Sequence, residues 1–294
     1  MSKRGYEESA SVPPLFEALV DDAGLFPPEQ LPMDAALARH RADQHGAHPM
    51  LTHRFLCPAS RLSELRSVLA PGDLVVLALI LDTGLDGLGP ALDEAASEPG
   101  LHLELVEVPL PSDGDPAGAA RRALPALAEV RAPVYLEPPR GPGWLDAIEV
   151  VAGWAEKEDS PDRRGLKVRC GGVRAELFPS PGELASFVCA CWEAGVSFKA
   201  TAGLHHAVRA ADERTGFIHH GFLNLLLAAA RAAAGAAEGD VAGVLAATGA
   251  SALVAEARSM PAEQARAARS LFVAYGSCST SEPLADVLAL GLLS

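Results

Sequence analysis

The sequence predicts an α/β protein, a single (β/α)8 TIM barrel with a helical insertion before the eighth strand. Three observations carry this. Short runs rich in Val, Leu and Ile recur eight times, each is followed by a turn signal and a segment of helical periodicity, and 294 residues at 49% hydrophobic and 21% charged suffice for one large core. An open doubly wound sheet is the competing arrangement.

Taken in order, residues 1–14 read as a flexible tail. Strands are expected at Leu19–Phe26, Leu51–Cys57, Leu74–Leu81, Leu101–Val108, Pro133–Glu137, Leu166–Cys170, Val196–Thr201 and Leu271–Gly276. Helices fall between them, at Met33–His45, Ser60–Leu69 with Ser60 as N-cap, Leu85–Ser97, Pro116–Val130, Trp144–Lys157, Pro181–Ala194, Ile218–Ala234 and Pro283–Leu290. The start at Pro181 carries a capping box, with Ser180 at the N-cap and Glu183 three residues on. Residues 236–270 are extra to the alternation and read as two inserted helices. Pro/Gly clusters such as Pro138–Gly143 read as loops, so the whole of 1–294 is one domain.

The balance of 38 acidic against 24 basic residues gives a net charge of −14, which repels nucleic-acid phosphates and anionic lipid. A small molecule is the expected partner, with a homo-oligomer possible. No apolar segment follows the basic pair near the start, no run reaches a membrane span, and the five cysteines form no CxxC pair; a cytoplasmic protein with free thiols is expected. Neither GxGxxG nor a P-loop is present, so no nucleotide cofactor is indicated, and the leading reading needs no cofactor.

Twenty of the basic residues are Arg and four are Lys. Lys3 lies in the tail and Lys157 in a charged helix end, whereas Lys167 in LKVRC and Lys199 in VSFKAT sit mid-strand, 32 residues apart. Strand alternation puts Lys167 with Arg169, and Lys199 with Thr201, on the face away from Val168 and Ala200, hence inside a barrel. Lysine, unlike arginine, gives up its proton readily when buried. A lysine whose pKa is depressed by neighbouring cations is the nucleophile of Schiff-base chemistry, and Lys199 and Arg169 would supply that depression for Lys167. The competing explanation is a set of structural ion bridges to Glu107 or Glu137.

These segments resemble the deoxyribose-phosphate aldolase group of class I aldolases. LKVRCGG resembles that family's sixth strand with its Schiff-base lysine, on Lys167 and Gly171, and SFKATAGLHH its seventh, on Lys199 and Gly203. YGSCSTSEPLADVLALGLL resembles the eighth strand, its anion loop and the last helix, on Gly276, Ser277 and Ser279. More loosely, Glu107 in LVEVPLP falls at an acidic proton relay, PVYLEPP with Glu137 on the fifth strand, and Asp22 in LVDDAGLF near a first-strand aspartate. The resemblance implies a lyase in which Lys167 forms an imine, Lys199 and Arg169 tune it, Glu107 or a histidine moves protons, and Gly203, Ser277 and Ser279 bind the polar end of the substrate. Val168, Arg169 and Cys170 depart from the Thr/Ser-rich family motif, Glu282 opposes a phosphate at the supposed anion loop, and the 236–270 insertion has no counterpart.

Four of nine histidines, His205, His206, His219 and His220, cluster between the seventh strand and the next helix, with the second pair expected to open that helix. They read as acid/base groups, as a polar capping loop, or as metal ligands, though their spacing matches no specific metal motif. A metal-dependent hydrolase, isomerase or lyase built on these four is therefore the first alternative to the aldolase, and a non-catalytic metabolite-binding barrel the second. Cys57, Cys170 and Cys278 end strands, with Cys278 in the Gly-turn loop the best candidate to face a substrate.

Overall fold

The computed structural model describes residues 12–155, 164–213 and 215–293. Eight parallel strands close into a barrel: β1 (Val20–Asp22), β2 (Leu51–Pro58), β3 (Val75–Ile80), β4 (Leu101–Pro109), β5 (Val134–Glu137), β6 (Arg164–Arg169), β7 (Phe198–Thr201) and, after a two-stranded antiparallel hairpin of β8 (Ala210–Ala211) and β9 (Ile218–His219), β10 (Phe272–Ser277). β1 pairs with both β2 and β10, which closes the barrel. The tail expected over 1–14 and Lys157 fall mostly or wholly outside the described residues.

Side chains alternate between the two faces along each strand, and the two faces differ in chemistry. Outward residues such as Leu166, Val168, Phe198, Ala200 and Phe272 join the large core under the helices, where Trp144, Phe187, Phe198 and Phe272 follow one another at ring separations of 5.3, 5.3 and 5.2 Å. Inward residues form a small apolar cluster of Ala23, Leu56, Ala78, Ile80, Leu105 and Tyr135, which shares the interior with charged groups from the same strands and from β6 and β7.

The helices follow the expected segments with shifted ends. α1 (Met33–Gly46), α2 (Leu62–Val68), α3 (Leu88–Ala96), α4 (Pro116–Ala126), α5 (Asp146–Ala155) and α6 (Pro181–Glu193) each follow a strand, α7 (Phe222–Ala233) follows the hairpin, and α11 (Ser281–Ala289) ends the barrel. The capping box of α6 is present in full: the Glu183 backbone N–H donates to Ser180 Oγ, and the Ser180 backbone N–H donates to the Glu183 carboxylate. Ser60 is not a helix N-cap; it lies inside a 3-10 turn (Ala59–Arg61), where its hydroxyl donates to Asp82 at 2.5 Å.

The insertion holds three helices rather than two: α8 (Glu238–Ala246), α9 (Ala250–Ser259) and α10 (Ala262–Leu271). Pro261 ahead of α10 and Gly249 ahead of α9 break what composition alone leaves as one Ala-rich stretch. They cover α7, which is apolar nearly all round and buried from Phe222 to Ala230. Asn224, the one polar residue in that run, is fully bonded: its amide donates to the Val244 and Ala247 carbonyls at 2.7 and 2.8 Å, and its oxygen accepts from the Arg209 backbone at 2.9 Å. Among the described residues, no helix is long and apolar enough to cross a membrane.

Candidate active site at the barrel mouth

An alternating chain of charges runs through the barrel interior. Lys167 on β6 stands 2.6 Å from Glu107 Oε2 on β4 and 2.8 Å from Glu137 Oε2 on β5. The other oxygen of Glu107 lies 2.6 Å from Lys199 on β7, whose ammonium also reaches Asp21 Oδ2 on β1 at 2.5 Å. Asp21 in turn accepts from Arg54 at 2.7 Å and from the Thr52 hydroxyl at 2.6 Å. At the other end, Arg169 donates through Nε to Glu137 at 2.9 Å, and its guanidinium is 46% exposed at the mouth. From mouth to floor the order is Arg169, Glu137, Lys167, Glu107, Lys199, Asp21, Arg54, and every neighbour has the opposite sign.

Register explains why these side chains meet. Lys167 pairs directly with Lys199 and Arg169 with Thr201, so the two lysines sit at one level on adjacent strands, as their spacing predicts. Like charges at that distance repel, and Glu107 stands between them as a shared counter-ion.

The signs of the pKa shifts follow. Burial alone would push Lys167 down, but the Glu107 and Glu137 carboxylates outweigh it and hold the ammonium above the ordinary lysine range. The expected depression by Lys199 and Arg169 is thus reversed in the resting protein, because two carboxylates stand within 2.8 Å of Lys167 and raise it. Burial would raise Glu107 and Asp21, yet Lys167 and Lys199 hold Glu107 at about 2, and Arg54 and Lys199 hold Asp21 at about 2.

Asp21, not Asp22, is the first-strand carboxylate inside the barrel. Asp22 points outward to α1, where its Oδ1 accepts from the Gly24 backbone and from Arg39, and its Oδ2 lies 3.3 Å from the buried His40 Nδ1. Both are aspartates on adjacent positions of a three-residue strand, and only the register separates them.

A cavity of about 250 Å³ opens above Lys167, at the C-terminal ends of the strands where such barrels place their sites. Glu137, Lys167, Arg169, Thr201, His205 and Cys278 contribute its polar or reactive lining, and Phe26, Leu56, Ile80 and Leu177 its apolar walls. A larger cleft of about 600 Å³ adjoins it and shares Pro109, Glu137, Arg169 and Leu177, but Lys167 faces only the smaller one.

The glycines and loop hydroxyls have steric and structural roles. A Cβ on Gly171 would stand 2.8 Å from Gly203 Cα, and one on Gly203, at φ +69°, would stand 2.8 Å from the Cys170 carbonyl; the two strand ends touch through them. Ser277 spends its hydroxyl on the Ser279 carbonyl at 2.6 Å, and Ser279 Oγ accepts from the Glu282 backbone at 3.3 Å. Neither serine lines the cavity.

The four histidines diverge. His205 alone reaches the cavity, with Nδ1 at 3.7 Å from Cys278 Sγ and 3.8 Å from Glu282. His206 is largely exposed and bonds Asp286. His219 lies in β9 with its ring 4.8 Å from Phe178 and 5.8 Å from His205. His220 is buried, and burial pushes its pKa down to about 4; the neutral ring donates from Nε2 to the Pro179 carbonyl at 2.7 Å and accepts at Nδ1 from Arg209 at 3.1 Å. The second pair does not open the helix, since Gly221 is the N-cap of α7. Among the described residues, no group of three or more His, Cys, Asp or Glu side chains is placed to hold a metal ion, so these histidines do not fit a metal site. Of the strand-end cysteines, burial pushes Cys57 and Cys170 up to about 12, and only Cys278 faces the cavity.

The fold and site together define a (β/α)8 barrel whose mouth holds a lysine between two carboxylates, and barrels of this kind are usually enzymes. No protein-family model, no curated protein and no solved structure matches the chain.

Proposed function

We propose that the protein is a carbonyl-acting enzyme, a class I aldolase or related lyase working on a small oxygenated metabolite. The observation that carries this is the placement of Lys167 Nζ at the floor of the mouth cavity with two carboxylates in hydrogen-bonding reach. The resemblance to deoxyribose-phosphate aldolases points the same way.

In this reading Lys167 first passes a proton to Glu107, an uphill step because Lys199 on the opposite oxygen keeps that carboxylate weakly basic. The free amine attacks the substrate carbonyl carbon, a C–N bond forms, and the oxygen takes a proton to give a carbinolamine. Loss of water, with the proton held by Glu107 relayed back through the nitrogen to the departing hydroxyl, leaves the protonated imine. Glu137, on the cavity wall, removes the proton of the β-hydroxyl; the C–C bond then breaks, its electrons enter the imine as an enamine, and an aldehyde departs. Protonation of the enamine carbon and addition of water return the ketone or aldehyde product and free Lys167. Glu107, Lys199 and Asp21 are positioning residues that never touch the substrate.

Borohydride trapping tests this directly. Incubation with small aldehydes and ketones is expected to leave a reduced adduct that peptide mapping places on Lys167, absent in Lys167→Met and retained in Lys199→Met at a reduced rate. A panel that leaves no adduct on Lys167 overturns the proposal and leaves a metabolite-binding barrel, in which Lys167 and Arg169 clamp an anion without covalent chemistry.

A further inference from the structure

The larger cleft beside the Lys167 cavity has no part in that chemistry, yet it shares one wall with it. Its lining comes from the ends of β4, β5 and β6 and from the loop after β6, with Leu110, Pro138, Pro139, Trp144 and Leu177 as apolar surface. Three arginines, Arg140, Arg169 and Arg174, face it. Arg140 is committed to the Glu183 carboxylate at 2.6 Å and to the Glu176 carbonyl. Arg174 is well exposed and holds Glu176 only at 3.2 Å.

Arg169 stands on the shared wall, and among the described residues only its Nε is bonded, to Glu137. Its two terminal nitrogens donate to none of the described residues, and such a fork takes a carboxylate or phosphate through two parallel bonds. The opposite side of the mouth is unsuited to an anion. There the Ser277 and Ser279 hydroxyls are turned into the loop, and the Glu282 carboxylate stands beside His205.

We propose that this cleft is a second lobe of the active site, which receives the anionic end, carboxylate or phosphate, of a substrate whose carbonyl is delivered to Lys167. Arg169 is the specificity residue between the lobes, Arg174 closes on the anion from the loop after β6, and Trp144 with Pro138 and Pro139 packs on the carbon chain that joins the two groups. This rests on the Schiff-base reading for the carbonyl end, while the anion lobe can be tested apart from it.

The experiment compares borohydride trapping of three aldehydes at matched concentration: succinic semialdehyde, glyceraldehyde 3-phosphate and uncharged butyraldehyde. One or both anionic aldehydes are expected to trap about tenfold more efficiently than butyraldehyde, the worth of one charge-assisted bidentate contact. That ratio is expected to collapse toward one in Arg169→Gln and to fall several-fold in the exposed variant Arg174→Gln. Preference for the carboxylate or for the phosphate names the anion. Equal trapping of all three aldehydes, or ratios untouched by both substitutions, overturns the lobe. If nothing traps, calorimetry with succinate and glycerol 3-phosphate decides: binding lost in Arg169→Gln supports the anion lobe without the imine, and no binding to the wild-type protein ends both.

Discussion

Glu107 is the residue on which most of the interior depends, because one carboxylate is shared by two buried ammonium groups. Glu107→Gln removes the charge and keeps the shape, leaving Lys167 with Glu137 and Lys199 with Asp21. Breaking a buried pair from one side costs about 3–5 kcal/mol, and urea unfolding is expected to show a loss of that order. The pH dependence has a definite sign. Glu107 and Asp21 titrate lower in the folded chain than in the unfolded one, so their contribution is complete above about pH 4.5 and drains away as pH falls toward about 2. Thermal unfolding temperature is expected to hold steady near neutrality and to drop through that acid window. Lys167 has the opposite sense: held above its ordinary value, it keeps its proton at neutral pH, so adduct formation is expected to climb with pH up to 10 without a plateau near 7. Sequence reasoning located both lysines because lysine is rare in this chain and a strand alternates. It could not decide the direction of the shift: the cations Lys199 and Arg169 are visible in the same motifs, whereas the bridges to Glu107 and Glu137, the competing explanation, depend on barrel closure. The first-strand aspartate expected at Asp22 is Asp21 in the barrel for a related reason: two adjacent aspartates on a three-residue strand carry no internal mark of which one faces in.

At the scale of elements, all eight barrel strands were legible because each is a short apolar run bounded by turn residues, and α6 because its capping box is a local signal. Ser180→Ala removes the Glu183 N–H acceptor and is expected to cost about 1 kcal/mol, read as a lower urea midpoint with an unchanged slope. Gly203→Ala is expected to cost more, about 1–3 kcal/mol, since the added Cβ meets backbone at 2.8 Å and the backbone has positive φ. The segment after β7 was the least legible. Its histidines suggested a helix opening at Ile218, but Ile218 and His219 pair with Ala211 and Ala210 in a hairpin, a long-range choice that local periodicity cannot reveal.

At the scale of the whole molecule, the helices α8 to α10 turn α7 into an interior element, which is why a run of apolar and Ala residues with no polar face is stable there. Asn224 ties that layer to α8 and to the loop after β7; Asn224→Ala is expected to destabilise by about 2–4 kcal/mol through three orphaned backbone partners, checked by denaturant unfolding. The number of inserted helices was hidden because breakers in this Ala-rich stretch do not all break: Gly239 and Gly243 lie inside α8, whereas Gly249 and Pro261 precede α9 and α10. The alternating chain of charges has a further consequence, for how this sequence can change over time. Any single substitution that neutralises an inner member leaves an unmatched charge in a medium that screens poorly, whereas the loss of two adjacent members together leaves none. Drift at Asp21, Glu107, Lys167 and Lys199 is therefore confined to compensated double steps, and a lineage that abandons this chemistry is expected to lose its lysines and carboxylates in matched couples, not one at a time.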